Sequence, residues 1–294
     1  MSVFDEQLGC STISFRHLPL RAALRTIADL GFTEIDLGSL PGVCDHVPLD
    51  LDARGVRDVA DEVRDSGLVV RSINCDVGDL NDPTTDLAAS GHLHGLLELA
   101  GAVGARAIVL PCGAIDHAPI DNLDSDLDCV AANFDHALIR ARRHGVDIWT
   151  ESLHVFRLCC NSDRAAALSD RLDPDIGIVM DFSHIVASGG SPVEFARRYG
   201  RRITHVHIRD ATRGTVRLVG KDTIDAPGSI NVSVGRGEVD FRAGLAALRA
   251  AAFDGHFTLE LETRDVTDEQ RPDASAAAGR LITELLHNTH QEAS

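Results

Sequence analysis

Residues 130–152 read VAANFDHALIRARRHGVDIWTES, and the two parts of this stretch follow different rules. Up to Arg143 and His144 it is helix-like. Gly145 then stands where such a helix should stop, because a glycine takes the left-handed C-cap conformation at little cost. The run that follows, VDIWTES from Val146, is short, rich in β-formers and ends in Glu151. The stretch is a helix, a stop and a strand.

The same unit recurs in both directions. The other β runs are LGCSTIS from Leu8, TEIDLG from Thr33, VVRSIN from Val69, AIVLPCG from Ala107, IGIVMDFSH from Ile176, ITHVHIRD from Ile203 and FTLELET from Phe257. Helix-like segments between them include LRAALRTIADLGF, HLHGLLELAGAVGA and FRAGLAALRAAAF. In the first of these, Leu20, Leu24, Ile27 and Leu30 fall at helical spacing and mark one buried face. Gly31, Gly67, Gly104 and Gly255 repeat the stop assigned to Gly145. Strands alternating with helices imply parallel pairing through crossovers. Eight such runs predict a single (β/α)₈ TIM barrel over residues 1–294. An open doubly wound sheet is the competing arrangement. Its dinucleotide-binding form is disfavoured because CSTISFRH carries no Gly-rich phosphate turn after the first run. The longest connection, Asp210 to Phe241, follows the seventh run and lies on the face where barrels build active sites.

Composition narrows the partners. The chain has 294 residues, 45 acidic against 28 basic side chains and a formal net charge of −17. Nucleic acid and anionic membrane surfaces are bound mainly by basic groups, so neither is an expected partner. No apolar run reaches the roughly 18–20 residues that span a bilayer. Seven cysteines without a CxxC pair, and an N-terminus MSVFDEQLGC without a basic or apolar leader, predict reduced thiols and a cytoplasmic location.

The chemistry-bearing residues gather at the ends of the later runs. The fifth ends in Glu151, the sixth in Asp181 with His184 beyond it, the seventh in His205 and His207, and the eighth in Glu260 and Glu262. Residues two apart share a strand face, so periodicity alone does not separate His205 from His207 or Glu260 from Glu262. Carboxylates and imidazole inside a barrel are costly unless paired, protonated or metal-bound. An oxygen-rich set with one nitrogen suits Mn²⁺, Mg²⁺, Co²⁺ or Zn²⁺, and the lack of thiolates argues against a purely structural zinc.

The order of a Glu after the fifth run, MDFSH, HVHIRD and GHFTLELE, with GFTEIDLG early and GRGEVDF late, resembles the xylose-isomerase-like barrel superfamily. Within it, the chain is similar to the sugar isomerase/epimerase branch, which includes D-tagatose 3-epimerase, 2-keto-myo-inositol isomerase and inosose dehydratase. The resemblance implies that Glu151, Asp181, His207 and Glu260 hold one divalent metal, Mn²⁺ first. The family ligand is the second His of its HxH, and the family's last Glu lies five residues after the Gly that Gly255 matches. Glu151 and Glu260 then become the acid/base pair, and His184 and Arg213 match positions that contact substrate oxygens. Where some epimerases carry a second Glu, this chain has Arg157, in ESLHVFR. With His154, it is expected to recognise an acidic group or a hydroxylated ring; the alternative is that Arg157 lies on an exposed connection.

What the resemblance implies is an isomerase or epimerase acting through an enediolate on a small sugar, cyclitol or keto acid. A dehydratase on the same scaffold, acting on an inosose or dehydroshikimate-like ring, is the alternative. A nuclease relative would need extra His ligands on early strands, which offer only Glu34, Asp36, Cys75, Asp76 and Cys112. Dimers and tetramers are common in that family, so a homo-oligomer stands among the expected partners, with no interface legible in the residues.

Overall fold

A computed structural model of the chain describes residues 3–219 and 222–291. Eight parallel strands form a nearly closed barrel: β1 (Leu8–Cys10), β2 (Glu34–Ser39), β3 (Val69–Cys75), β4 (Ala107–Pro111), β5 (Asp147–Glu151), β6 (Gly177–Asp181), β7 (Ile203–Ile208) and β10 (His256–Leu259). Their order around the sheet is β1-β10-β7-β6-β5-β4-β3-β2. This is the predicted TIM barrel.

Alternation along each strand sorts side chains between two environments. Ile148, Ile178, Met180, Val206, Ile208, Phe257 and Leu259 face the surrounding helices and join the large apolar core. Their strand neighbours face inward, where Ala107, Val109, Trp149 and Val179 make a small separate cluster. Higher in the barrel the inward positions turn polar. The outer layer therefore carries most of the burial that stabilises the fold, and the interior is left to chemistry.

Several helices end as the glycines predict. Gly31 and Gly67 adopt φ 100° and 72° after α1 (Leu20–Leu30) and α2 (Ala53–Ser66). Gly104 and Gly145 do so after α3 (Gly91–Val103) and after the 3-10 turn that extends α4 (Leu123–Ala141). Gly255 does not: α8 (Phe241–Ala250) ends earlier, and Ala252 takes the left-handed position with φ 58°. Gly255 is needed for a different reason, since a Cβ there would stand 2.6 Å from the Thr204 carbonyl oxygen.

Three boundaries also differ from expectation. The first run leaves the sheet after Cys10, because the Ser11 hydroxyl accepts from the Ile13 amide and caps a 3-10 turn over Thr12–Phe15. The last barrel strand stops at Leu259, one residue before Glu260, although the Glu260 amide still donates to the Ile208 carbonyl. The long connection after β7 contains an antiparallel pair, β8 (Thr215–Val219) and β9 (Asp222–Ala226). Its base is tied down by Asp210, whose carboxylate accepts from the amides of Gly235, Gly237 and Val239.

β1 and β2 are the two ends of the strand order and share no ladder register. Side chains close this seam instead. The Thr12 hydroxyl accepts from the Gly38 amide at 2.9 Å. Gly9 lies so near β2 that a Cβ there would come within 2.9 Å of the Glu34 carbonyl oxygen.

Candidate metal centre

The C-terminal ends of β5, β6 and β7 bring Glu151, Asp181 and His207 together. One ligand atom from each lies within 4.8 Å of the others, and all three side chains are buried. Asp181 does two jobs. Its Oδ1 caps α6 (Phe182–Ala187), accepting from the Ser183 amide and hydroxyl at 2.6 Å each and from the His184 amide at 3.1 Å. Its Oδ2 is buried with no hydrogen-bond partner among the described residues, as are Glu151 Oε1 and both ring nitrogens of His207. Buried polar atoms are normally satisfied, so a cluster of orphans needs an explanation. A cation fits: two carboxylate oxygens and an imidazole nitrogen form an acceptor set suited to a divalent metal.

Electrostatics point the same way. Burial, reinforced by the nearby Asp181 carboxylate, pushes the Glu151 carboxyl well above the usual range. Burial should depress His207, but Glu260, Asp36 and Glu151 outweigh it and raise the imidazole to about 10. The cluster thus holds protons where a cation could stand.

Glu260 occupies the opposite wall. Its Oε1 accepts from Asn74 Nδ2 at 2.8 Å, its Oε2 accepts from Arg209 at 3.1 Å, and Oε2 stands 3.6 Å from His207 Nδ1. Arg209 also donates to Glu262 Oε1 at 3.1 Å, and Glu262 in turn pairs with Arg16. Geometry therefore separates the two glutamates that strand periodicity left equivalent: Glu260 borders His207, and Glu262 belongs to an ion-pair chain leading outward. It separates the two histidines as well. His205 Nε2 is 2.7 Å from Asp36 Oδ2 and the ring stacks on Trp149, so His205 lies deeper in the barrel.

A pocket open to solvent borders this cluster. Glu151, His154, Arg157, Arg209, Glu260, Glu262, Asn74 and the apolar Ile13, Leu40 and Leu110 line it. His184 sits behind Glu151, with Nε2 3.3 Å from Glu151 Oε1. Its Nδ1 accepts from the Val155 amide at 3.3 Å, which assigns the proton to Nε2 in the neutral ring. His154 packs on it with ring centroids 3.9 Å apart. Burial, and for His154 the neighbouring His184, depresses both imidazoles well below their usual range.

Arg157 is not on an exposed connection. It is 7% exposed, donates to the Gly113 carbonyl at 2.9 Å and pairs with Asp76 at 2.6 Å. Arg213 lies elsewhere: it is exposed, its guanidinium donates to the carbonyls of Gly189 and Gly190, and it does not line the pocket. Glu34, one of the early-strand acids, sits at the far end of the barrel, paired with Arg71 at 2.6 Å and His256 at 2.6 Å. Asn74 and Arg209 were not singled out by sequence reasoning. For Arg209 a signal existed, since it follows His205 and His207 at the same two-residue spacing.

A sequence model described as the xylose isomerase-like TIM barrel matches residues 24–285. An inosose dehydratase of Lacticaseibacillus casei is 25% identical over 176 residues, which cover 55% of this chain and 59% of that protein. The chain thus matches less than two thirds of that relative's length. The uncharacterized protein YfiH of Bacillus subtilis is 23% identical over 305 residues, covering 90% of this chain and 95% of its own. Among solved structures, an L-ribulose 3-epimerase superposes with a TM-score of 0.75 at 20% identity, covering 100% of this chain and 97% of that one. The IOLI protein, solved with a bound zinc atom, gives 0.70 at 18% identity over 96% and 99% of the two chains. At such identities the structural likeness concerns the fold.

Proposed function

The chain belongs to the xylose isomerase-like TIM barrel family, and on that premise we propose that it is a divalent-metal-dependent isomerase or epimerase working through an enediolate on a small sugar, cyclitol or keto acid. The observation that carries this reading is the convergence of orphaned, buried acceptor atoms on Glu151, Asp181 and His207 beneath an open polar pocket. These three residues, with Glu260 completing the set, would hold the ion. Mn²⁺ is the first choice, and Mg²⁺, Co²⁺ and Zn²⁺ suit the same donors. Once bound, a divalent cation supplies Lewis acidity that favours the enediolate over the parent carbonyl.

The protein groups do the proton work. Glu151 and Glu260 both border the pocket, so a substrate carbon between them meets a carboxylate on each side. Glu151, at the pocket edge, is placed to take that proton as a carboxylate and return it. His184, with Nε2 3.3 Å from Glu151 Oε1, packs behind the carboxylate and would steady its position. His154 and Arg157 would receive hydroxyls or an acidic group of the substrate. Arg213, bound to loop carbonyls, would reach a substrate only if those bonds were exchanged.

Loss of a β-hydroxyl from the same enediolate gives dehydration, and the inosose dehydratase named above favours that second reading. The two are separated by incubating metal-reconstituted protein with a panel of ketoses and inososes in D₂O. Solvent deuterium beside the carbonyl with retention of all hydroxyls supports the isomerase or epimerase; an alkene product moves the assignment to a lyase. No exchange with any metal, and identical behaviour of Glu151→Gln, would overturn both. The supporting surroundings are simple: no described helix is long and apolar enough to cross a membrane. The seven free thiols suit a reducing, cytoplasmic compartment.

A further inference from the structure

Asp36, on β2, lies across the barrel interior from β7 and is fully buried. A buried carboxylate needs partners, and the groups facing it are the two histidines of β7. Its Oδ2 stands 2.7 Å from His205 Nε2 and 3.5 Å from His207 Nε2. The opposite edge of the His207 ring faces the pocket wall, with Nδ1 3.6 Å from Glu260 Oε2. Nε2 of His207 thus faces Asp36 and Nδ1 faces Glu260, and neither nitrogen makes a hydrogen bond of good geometry. A histidine that binds a metal through one nitrogen normally donates the proton of the other to a carboxylate, carbonyl or water, which fixes the ring and raises its basicity.

We propose that Asp36 is the positioning residue of the metal centre: its carboxylate accepts a hydrogen bond from Nε2–H of His207, so that His207 ligates through Nδ1. The assignment rests on the metal-site reading above. His205 completes the arrangement by donating its own Nε2 proton to the same oxygen, and its ring is held by stacking on Trp149, with centroids 5.4 Å apart. Asp36 is thereby fixed from below before it meets His207. Ligation through Nε2 would instead put the ion on the Asp36 side of the ring, away from Glu260.

The test uses the full chain, stripped of metal and then titrated. Isothermal titration with Mn²⁺ compares the wild type with Asp36→Asn, which keeps the shape of the side chain but removes its charge. The expected loss is about 10–100-fold in affinity, typical when an outer carboxylate is removed from a ligating histidine. Equal affinities in the two proteins would overturn the inference while leaving the metal site intact. A wild type that binds no divalent ion would instead overturn the site itself. A second measurement covers the case in which Asp36→Asn does not fold. In the Zn²⁺-loaded wild type, long-range ¹H–¹⁵N spectra of labelled histidine should show His207 metal-bound at Nδ1 with a downfield Nε2 proton. A His207 bound through Nε2 would refute the assignment.

Discussion

Loading the site with metal should expel protons, and the number can be worked out from the buried cluster. His207 is held up to about 10 by Glu260, Asp36 and Glu151, and a ligating imidazole must be neutral. At pH 7, three units below that value, about one molecule in a thousand is ready to bind. That offsets on the order of 4 kcal/mol of intrinsic metal affinity. Metal affinity should therefore rise about tenfold per pH unit through neutrality from His207 alone. The slope steepens toward a hundredfold where Glu151, whose carboxyl is also raised, still carries its proton. The assay is calorimetric titration with Mn²⁺ at pH 6, 7 and 8 in buffers of different ionisation enthalpy, which counts protons released. One to two protons per ion is expected. A flat affinity with no proton release would refute the reasoning, because the orphaned atoms would then not be ligands. The same linkage has a sign in the metal-free protein. A raised histidine stabilises the fold fully below its ordinary value of 6.5, and that contribution disappears as pH climbs toward about 10. The Glu151 shift acts in the same direction above 4.5. The melting temperature of metal-free protein should fall with rising pH across this window, and loading with Mn²⁺ should flatten the fall.

Glu151→Gln should lower turnover by about 10²–10⁴-fold, the range for loss of a positioned base; retention of full turnover in the D₂O exchange assay would exclude it from catalysis. Arg157→Ala should raise KM for acidic or polyol substrates with little change in kcat, and unchanged kinetics across the panel would assign Arg157 to holding Asp76 and Gly113 alone. Gly177→Ala should destabilise the barrel by about 1–3 kcal/mol, since the new Cβ would stand 2.4 Å from Thr204 Oγ1 and 2.5 Å from Trp149 Cδ1. Chemical denaturation reads that loss directly, and a wild-type midpoint would show that Trp149 moves aside freely.

The barrel was legible because its signals are local: a helical face, a glycine stop and a β run repeat within short windows, as in residues 130–152. The strand-end acids and His207 were legible for a related reason, since polar residues closing apolar runs stand out. What stayed hidden are pairings between strands far apart in the chain. Asn74 meets Glu260 and Asp36 meets His205 across the barrel, and no periodicity within one strand predicts which distant strand faces it. The antiparallel pair β8–β9 escaped because a glycine-rich connection reads as loop. Its backbone pairs antiparallel all the same. Gly255 misled because a glycine after a helix has two uses, and here close approach to Thr204 decided between them.

The seam between β1 and β2 bears on how the barrel closes. Among the eight barrel strands β1 comes first in the sequence, yet its ladder partner β10 comes last, with Leu8 in register with Phe257. The neighbour that follows it in the chain offers a side-chain clasp and no ladder. The ladder that holds β1 therefore joins residues far apart in sequence and closes a long loop, a slow kind of contact to form.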